Sequence, residues 1–167
     1  NINDAQSYKT FNWNARASIG KYIFKELSNS ISVGFNSTST SDYIVGKTLS
    51  TSGTDNYLSV GYNIEYDTRD SYEYTLAGAS ISADYLKYGF SEVINYNSFG
   101  FDVRKFIPIK LSEKYLISFG TRINTTVFWG GNVADYHHQQ LGYGRTIRGW
   151  DDYVFEAENS LIYSNEL

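Results

Sequence analysis

The chain has 167 residues, enough for one domain, and a formal net charge of −4 argues against nucleic acid as a partner. The absence of cysteine excludes disulfides and thiolate metal sites, and no apolar run approaches the roughly 18 residues of a transmembrane helix. The 16 Tyr, 10 Phe and 3 Trp, beside a single Pro, are typical of a β-sheet protein, because aromatic side chains fit a pleated surface.

Apolar and polar residues alternate with a period of two along most of the chain, which predicts β-strands with two different faces. The alternation is visible at residues 11–19, 31–36, 58–66, 77–85, 99–104, 117–129 and 160–167, and we predict seven strands of about 8–14 residues around these stretches. Strands of about 8–14 residues are longer than the 5–6 typical of globular sheets. They suit a tilted membrane-spanning strand, which needs about 9–11 residues.

The predicted connections fall into two groups. Residues 25–28, 68–74 and 108–114 form compact turns, whereas residues 38–57 and 130–159 form long connections. Alternation of short and long connections is expected when one end of a barrel faces a periplasm and the other the exterior. We expect Pro108 to lie just past a strand end, where its missing N–H costs nothing.

The polar face carries charges well inside the strands, at positions such as Asp84, Asp102, Arg104 and Arg122. In a soluble sheet this face would meet water and the apolar face would form the core. In a membrane barrel the polar face lines the lumen and the apolar face meets lipid. Tyr and Trp residues near strand ends favour the barrel, because aromatic residues concentrate at membrane interfaces.

Three segments resemble the barrel of the BamA/TamA family of outer-membrane assembly factors. Tyr66-Asp67-Thr68-Arg69-Asp70 is similar to the family's turn of the form Y-D-x-R-D. Ile147-Arg148-Gly149-Trp150 is similar to the V-R-G-[FY] motif at the tip of a loop folded into the lumen. Residues 161–167 resemble the following strand, where the family carries a glutamate.

The resemblance implies an all-β fold, an antiparallel transmembrane β-barrel. Residues 1–167 would be part of one outer-membrane barrel domain, about seven strands out of about sixteen, with a re-entrant loop at about 130–159. We expect the chain to be a segment of a longer protein, with periplasmic domains and closing strands elsewhere. Seven strands should not close into a barrel by themselves. The lumen of even an eight-stranded barrel is filled by side chains, so it would have no room for the re-entrant loop.

The function implied by the resemblance is insertion of barrel proteins into the bacterial outer membrane, or translocation of proteins across it. The implied partners are outer-membrane lipid, client β-barrel proteins and accessory subunits, with no cofactor. One alternative is a barrel that anchors a fused lipolytic enzyme. Another is a soluble or surface carbohydrate-binding sheet, in which Trp129-Gly130-Gly131 could stack a sugar.

The candidate site residues follow from these motifs. The resemblance places Arg148 inside the lumen, in an ion pair with Glu166 as first partner or Asp102 as second. Ile147, Gly149 and Trp150 would complete the loop tip, with Gly149 in a tight turn and Trp150 against the inner wall. Asp67, Arg69 and Asp70 form either a solvated turn or a contact set that fixes the turn.

Catalytic and metal sites are not expected. The chain has no G-x-S-x-G, H-E-x-x-H or phosphate-loop motif, so we predict that it is not an enzyme. Adjacent histidines point to opposite sides of a strand, so His137 and His138 are not predicted to bind a metal.

Overall fold

The structure is a computed structural model that describes residues 9–41, 47–142 and 154–167. These residues form β-strands and one short 3-10 turn at Asp135–His137. No helix within these ranges has the length and apolarity needed to cross a membrane. The strands are β1 Thr10–Phe24, β2 Leu27–Thr40, β3 Thr54–Asp67, β4 Gly78–Tyr88, β5 Tyr96–Lys110, β6 Leu116–Trp129, β7 Gln139–Gly142, β8 Val154–Ala157 and β9 Ser160–Glu166.

Seven of the strands form one antiparallel sheet in the order β1-β2-β3-β4-β5-β6-β9. The prediction of an all-β, antiparallel, seven-stranded arrangement is therefore confirmed. Strands β1 and β9 form the two edges, and within the described ranges neither pairs with the other. Strands β7 and β8 form a separate two-stranded hairpin within the connection from β6 to β9.

The strands extend beyond the alternating stretches seen in the sequence. As a result, the prediction for Pro108 is wrong. Pro108 lies inside β5, opposite Ser118 of β6, and not beyond the strand end. The pairing of β5 with β4 ends at Gly78 and Phe106, so β5 has no partner on that side at Pro108. Proline is tolerated on such an edge, because no hydrogen bond to a second neighbour is lost there.

The connections lie alternately at the two ends of the sheet, but their lengths alternate less regularly than predicted. Residues 25–26, 68–77 and 111–115 connect strands at one end, which we call the turn end. Residues 41–53, 89–95 and 130–159 connect strands at the other, which we call the loop end. The connection at 68–77 is longer than that at 89–95, so the strict short–long alternation is wrong at this point.

The strand register confirms the predicted two faces. Ile64 pairs with Ala83, and Ala83 pairs with Phe101, which places these residues on one face of the sheet. Ser82 pairs with Asp102 on the opposite face. We call the first the apolar face and the second the polar face.

Burial is inverted relative to the usual pattern of a water-soluble sheet. Large side chains on the apolar face are exposed, for example Ile31 at 53%, Leu58 at 51% and Leu161 at 71%. Small polar side chains on the polar face are buried, namely Thr38, Asp55, Ser59, Ser80, Ser98 and Ser160. The cluster of buried apolar residues also involves the polar face, where Tyr57, Tyr96 and Phe128 meet Ile94 and Val133 from the connections of the loop end.

Candidate functional site

The polar face carries three groups of interacting side chains. The turn-end pair is Asp67 with Arg69. The arginine cluster, farther along the sheet, consists of Asp102, Arg104, Arg122 and Asn124. The histidine cluster, at the loop end, surrounds His137 with Tyr57, Tyr88, Tyr96, Phe128 and Tyr136.

The turn-end pair fixes the connection that follows β3. Oδ1 of Asp67 accepts hydrogen bonds from the backbone N–H of Arg69 at 2.9 Å and from its Nε at 3.0 Å, and Oδ2 accepts from a terminal guanidinium nitrogen at 2.6 Å. The guanidinium also lies 4.5 Å from the centre of the Tyr72 ring, and the Arg69 side chain is only 7% exposed. For Asp67 and Arg69, this geometry favours a contact set that fixes the turn over a solvated turn.

Asp70 organises the remainder of the same connection. Its Oδ1 accepts from the backbone N–H groups of Ser71, Leu76 and Ala77 at 2.9, 3.1 and 3.2 Å. These bonds, that from Ala77 most of all, hold the pKa of the Asp70 carboxyl below its ordinary value, because they stabilise the charged form. The aspartates of the Y-D-x-R-D segment thus bind the backbone of the connection at both of its ends.

The arginine cluster is centred on one carboxylate of β5. Asp102 accepts from Nε of Arg104 at 2.7 Å, from Nε of Arg122 at 2.7 Å and from Nδ2 of Asn124 at 3.0 Å. The Asp102 side chain is 13% exposed, whereas the two arginines are 38% and 39% exposed. Asp102 therefore already has two cationic partners, Arg104 on its own strand β5 and Arg122 on the neighbouring strand β6. Its predicted pairing with Arg148 would add a third arginine to the same carboxylate.

The histidine cluster brings a connection of the loop end onto the polar face. His137 Nδ1 lies 2.6 Å from the Tyr96 hydroxyl, and its Nε2 lies 3.2 Å from the Tyr57 hydroxyl. The imidazole ring packs 4.5 Å from the ring centre of Tyr88. Both nitrogens of the imidazole thus have hydroxyl partners supplied by strands β3 and β5.

Burial among these rings makes the His137 side chain electrically neutral at neutral pH. Loss of hydration lowers its pKa below the ordinary value, and the nearby His138 lowers it further. Asp55 acts in the opposite direction, since a negative charge favours the imidazolium. The direction of the net shift shows that the loss of hydration outweighs the attraction by Asp55.

Asp55 connects the histidine cluster to the other long connection of the loop end. Its carboxylate accepts from the backbone N–H groups of Leu49 and Ser50, both at 2.8 Å, and from the Tyr136 hydroxyl at 2.9 Å. An ion pair of 2.8 Å between Lys47 and Asp135 joins the same two connections. Residues 47–50 and 135–137 are therefore held together over the end of the polar face.

Of the residues predicted to form the loop tip, Ile147, Arg148, Gly149 and Trp150 lie outside the described residues. Their predicted partner Glu166 is the last residue of β9, exposed and opposite Gly120 of β6. Two residues earlier in β9, Ser164 lies opposite Arg122 on the same face, so Glu166 is one polar-face position away from the arginine cluster. The Arg148–Glu166 ion pair stays a prediction.

Sequence reasoning missed the histidine cluster. In the sequence, the His137-His138 pair suggests at most a metal site, and within the described ranges no group of three or more His, Cys, Asp or Glu residues could hold a metal ion. A signal was present in the pattern, because Tyr57, Tyr88 and Tyr96 occupy polar-face positions at one end of their strands. Aromatic residues at such positions indicate a local core on the polar face.

Comparison with known proteins gives no assignment: no protein-family model matches the chain, and no curated protein matches it at a significant level.

Proposed function

We propose that this chain is part of an outer-membrane β-barrel whose apolar face contacts lipid and whose polar face lines the lumen. The observation that carries the proposal is the inverted burial of the sheet. In a water-soluble sheet the large apolar side chains are buried and the polar ones are exposed. Here Ile31 and Leu58 are about half exposed, while Ser59 and Ser98 on the other face are almost completely buried.

The strand lengths support the same proposal. The shortest of the first six strands, β4, has 11 residues, and β1 and β5 have 15 each. At a rise of about 3.4 Å per residue and a tilt of about 40°, an 11-residue strand extends about 29 Å along the membrane normal. That length exceeds the apolar band of an outer-membrane barrel, which is about 25 Å tall.

The polar face has the properties expected of a lumen wall. Several of its charged groups are paired with one another, Asp67 with Arg69 and Asp102 with Arg104 and Arg122. A connection of the loop end packs on the same face through His137 and Tyr136. Side chains of this kind are tolerated inside a barrel and would be costly on the lipid side.

We further propose that the barrel acts in the assembly of other barrel proteins, and this step relies on the resemblance to the BamA/TamA family. The ordered Y-D-x-R-D turn and the I-R-G-W segment support it. In the mechanism implied by the resemblance, a weak seam in the barrel offers an unpaired strand edge to an incoming chain. The incoming chain adds to that edge as a further strand, because its backbone N–H and C=O groups can then form hydrogen bonds where water is absent.

Two experiments test these proposals at different levels. Membranes that contain the protein should release it only with detergent, and release by a salt or carbonate wash would favour the soluble carbohydrate-binding alternative.

Vesicles that contain the protein should accelerate the folding of an unfolded eight-stranded client barrel, relative to empty vesicles of the same lipid. An integral protein that gives no acceleration would leave the membrane fold intact, but would exclude the assembly function in favour of an anchoring barrel.

A further inference from the structure

One titratable side chain, His137, is prominent among the contacts that hold the connection after β6 to the sheet. Residues 133–137 pack over the loop end of the polar face, where Val133 and Ala134 are buried at 8% and 0% exposure. His137 lies at the centre of this contact, between the hydroxyls of Tyr57 and Tyr96.

We propose that the histidine cluster is an acid-released clasp, which holds residues 130–138 on the polar face while His137 is neutral and frees them when His137 takes up a proton. This clasp does not depend on the membrane assignment, since all of its contacts lie between the connection and the polar face.

The partners of the neutral imidazole are matched to its two nitrogens. In the neutral form one nitrogen donates and the other accepts, and a tyrosine hydroxyl can serve either role. The surrounding rings of Tyr88, Phe128 and Tyr136 exclude water from the imidazole without offering it a negative charge. A proton on His137 would therefore create a charge that the aromatic surroundings do not solvate.

Among the described residues, His137 forms no ion pair with a carboxylate. Asp55, whose negative charge favours the imidazolium, already accepts three hydrogen bonds, from two backbone N–H groups and the Tyr136 hydroxyl. Asp135 is paired with Lys47, and His138 acts against the imidazolium by lowering the pKa of His137. From β1, the positive charge of Arg16 acts on Tyr57 and Tyr88 of the same cluster.

The sign of the effect follows from the direction of the pKa shift. The pKa of His137 is lower in the folded chain than in the unfolded chain, because burial disfavours the imidazolium. The clasp is therefore at full strength above the ordinary histidine pKa of about 6.5, and it weakens as the pH falls below that value.

The absence of cysteine from the sequence allows a direct test by thiol labelling. Val133→Cys places a thiol in the closed clasp, and Asn132→Cys places one at the exposed neighbouring position. The labelling rate of each would be measured with a maleimide at about pH 7.5 and about pH 5, which bracket the ordinary histidine pKa. The ratio of the two rates cancels the intrinsic pH dependence of the thiol.

We expect the ratio of buried to exposed labelling to rise at least about tenfold at the lower pH, the factor that corresponds to one pKa unit. His137→Phe, which keeps an aromatic ring, should remove this rise, and His137→Gln serves the same purpose if the phenylalanine variant does not fold. His138→Phe and Asp135→Asn should retain the rise. A constant ratio in the parent, a rise that persists without His137, or a rise lost in Asp135→Asn would each overturn the clasp.

Discussion

A charge placed on the apolar face should destabilise the protein far more than the same charge on the polar face. Phe101 offers the sharpest test, because it pairs with Ala83 and Thr125 in the interior of the sheet. On the same face of β5, Phe99, Phe101 and Val103 form an apolar segment that ends at Asn97 on one side and Lys105 on the other. Phe101 lies at the midpoint of that segment.

The expected cost can be worked out from this position. From Asn97 to Lys105 is about eight residues, hence about 27 Å along the strand and about 21 Å along the membrane normal at a tilt of about 40°. This is close to the apolar thickness of an outer-membrane barrel, about 25 Å, so Phe101 lies near the bilayer midplane. Arginine at that depth costs about 2–4 kcal/mol, which lowers the folding equilibrium constant by about thirtyfold to several hundredfold.

The matched control is Asn63→Arg on the polar face. Asn63 lies in β3 opposite Asp84, so the new guanidinium has a carboxylate within reach and lies on the proposed lumen side. We expect this variant to change stability by less than about 1 kcal/mol. Both variants would be compared by urea unfolding in lipid vesicles and by heat-modifiability on gels. Equal destabilisation by the two arginines would refute the assignment of the apolar face to lipid.

Three further predictions concern the turn end, the loop end and the loop tip. Asp67→Ala should lower the unfolding free energy by about 1–3 kcal/mol, since it removes the acceptor of a backbone N–H and of a guanidinium. Asp67→Asn keeps an acceptor for the backbone N–H and should cost less, so equal losses in the two variants would contradict the role of that hydrogen bond. Gly89→Ala should lower the unfolding free energy by about 1–3 kcal/mol, because Gly89 has φ +65° and a Cβ there would clash with the Ile94 carbonyl oxygen. An unchanged urea midpoint would argue against this backbone geometry. Arg148→Ala should increase proteolysis of the 130–159 connection and slow client folding without preventing membrane insertion. Arg148→Glu combined with Glu166→Arg should restore part of that activity, and no restoration would exclude a direct pair.

The seven strands and their two faces could be predicted from the sequence because alternation is a local property of each strand. The register places Ile64, Ala83 and Phe101 on one face, as the period-two pattern predicted. The ends of the strands were harder to predict from the sequence, because where a strand ends depends on the strand it pairs with. β5 continues to Lys110 since β6 continues opposite it, even though Pro108 signals a strand end when β5 is considered alone.

The two best-described polar sites differ in how far the sequence revealed them. The turn formed by Asp67, Arg69 and Asp70 involves neighbours in sequence, so a short motif was sufficient to locate it. The histidine cluster joins His137 to Tyr57 and Tyr96, residues that are far apart in sequence. Such a contact depends on how a long connection folds back onto the sheet, which alternation does not encode.

The central claim, that the apolar face contacts lipid, is tested most directly by tryptophan quenching in vesicles of brominated lipid. Trp13 and Trp129 lie on the apolar face, each 46% exposed, whereas Trp150 is predicted from the sequence to face the lumen. In single-tryptophan variants, we expect bromine in the acyl chains to quench the fluorescence of Trp13 and Trp129 strongly and to leave that of Trp150 nearly unchanged. Fluorescence of Trp13 and Trp129 that is the same in brominated and ordinary lipid would contradict the claim.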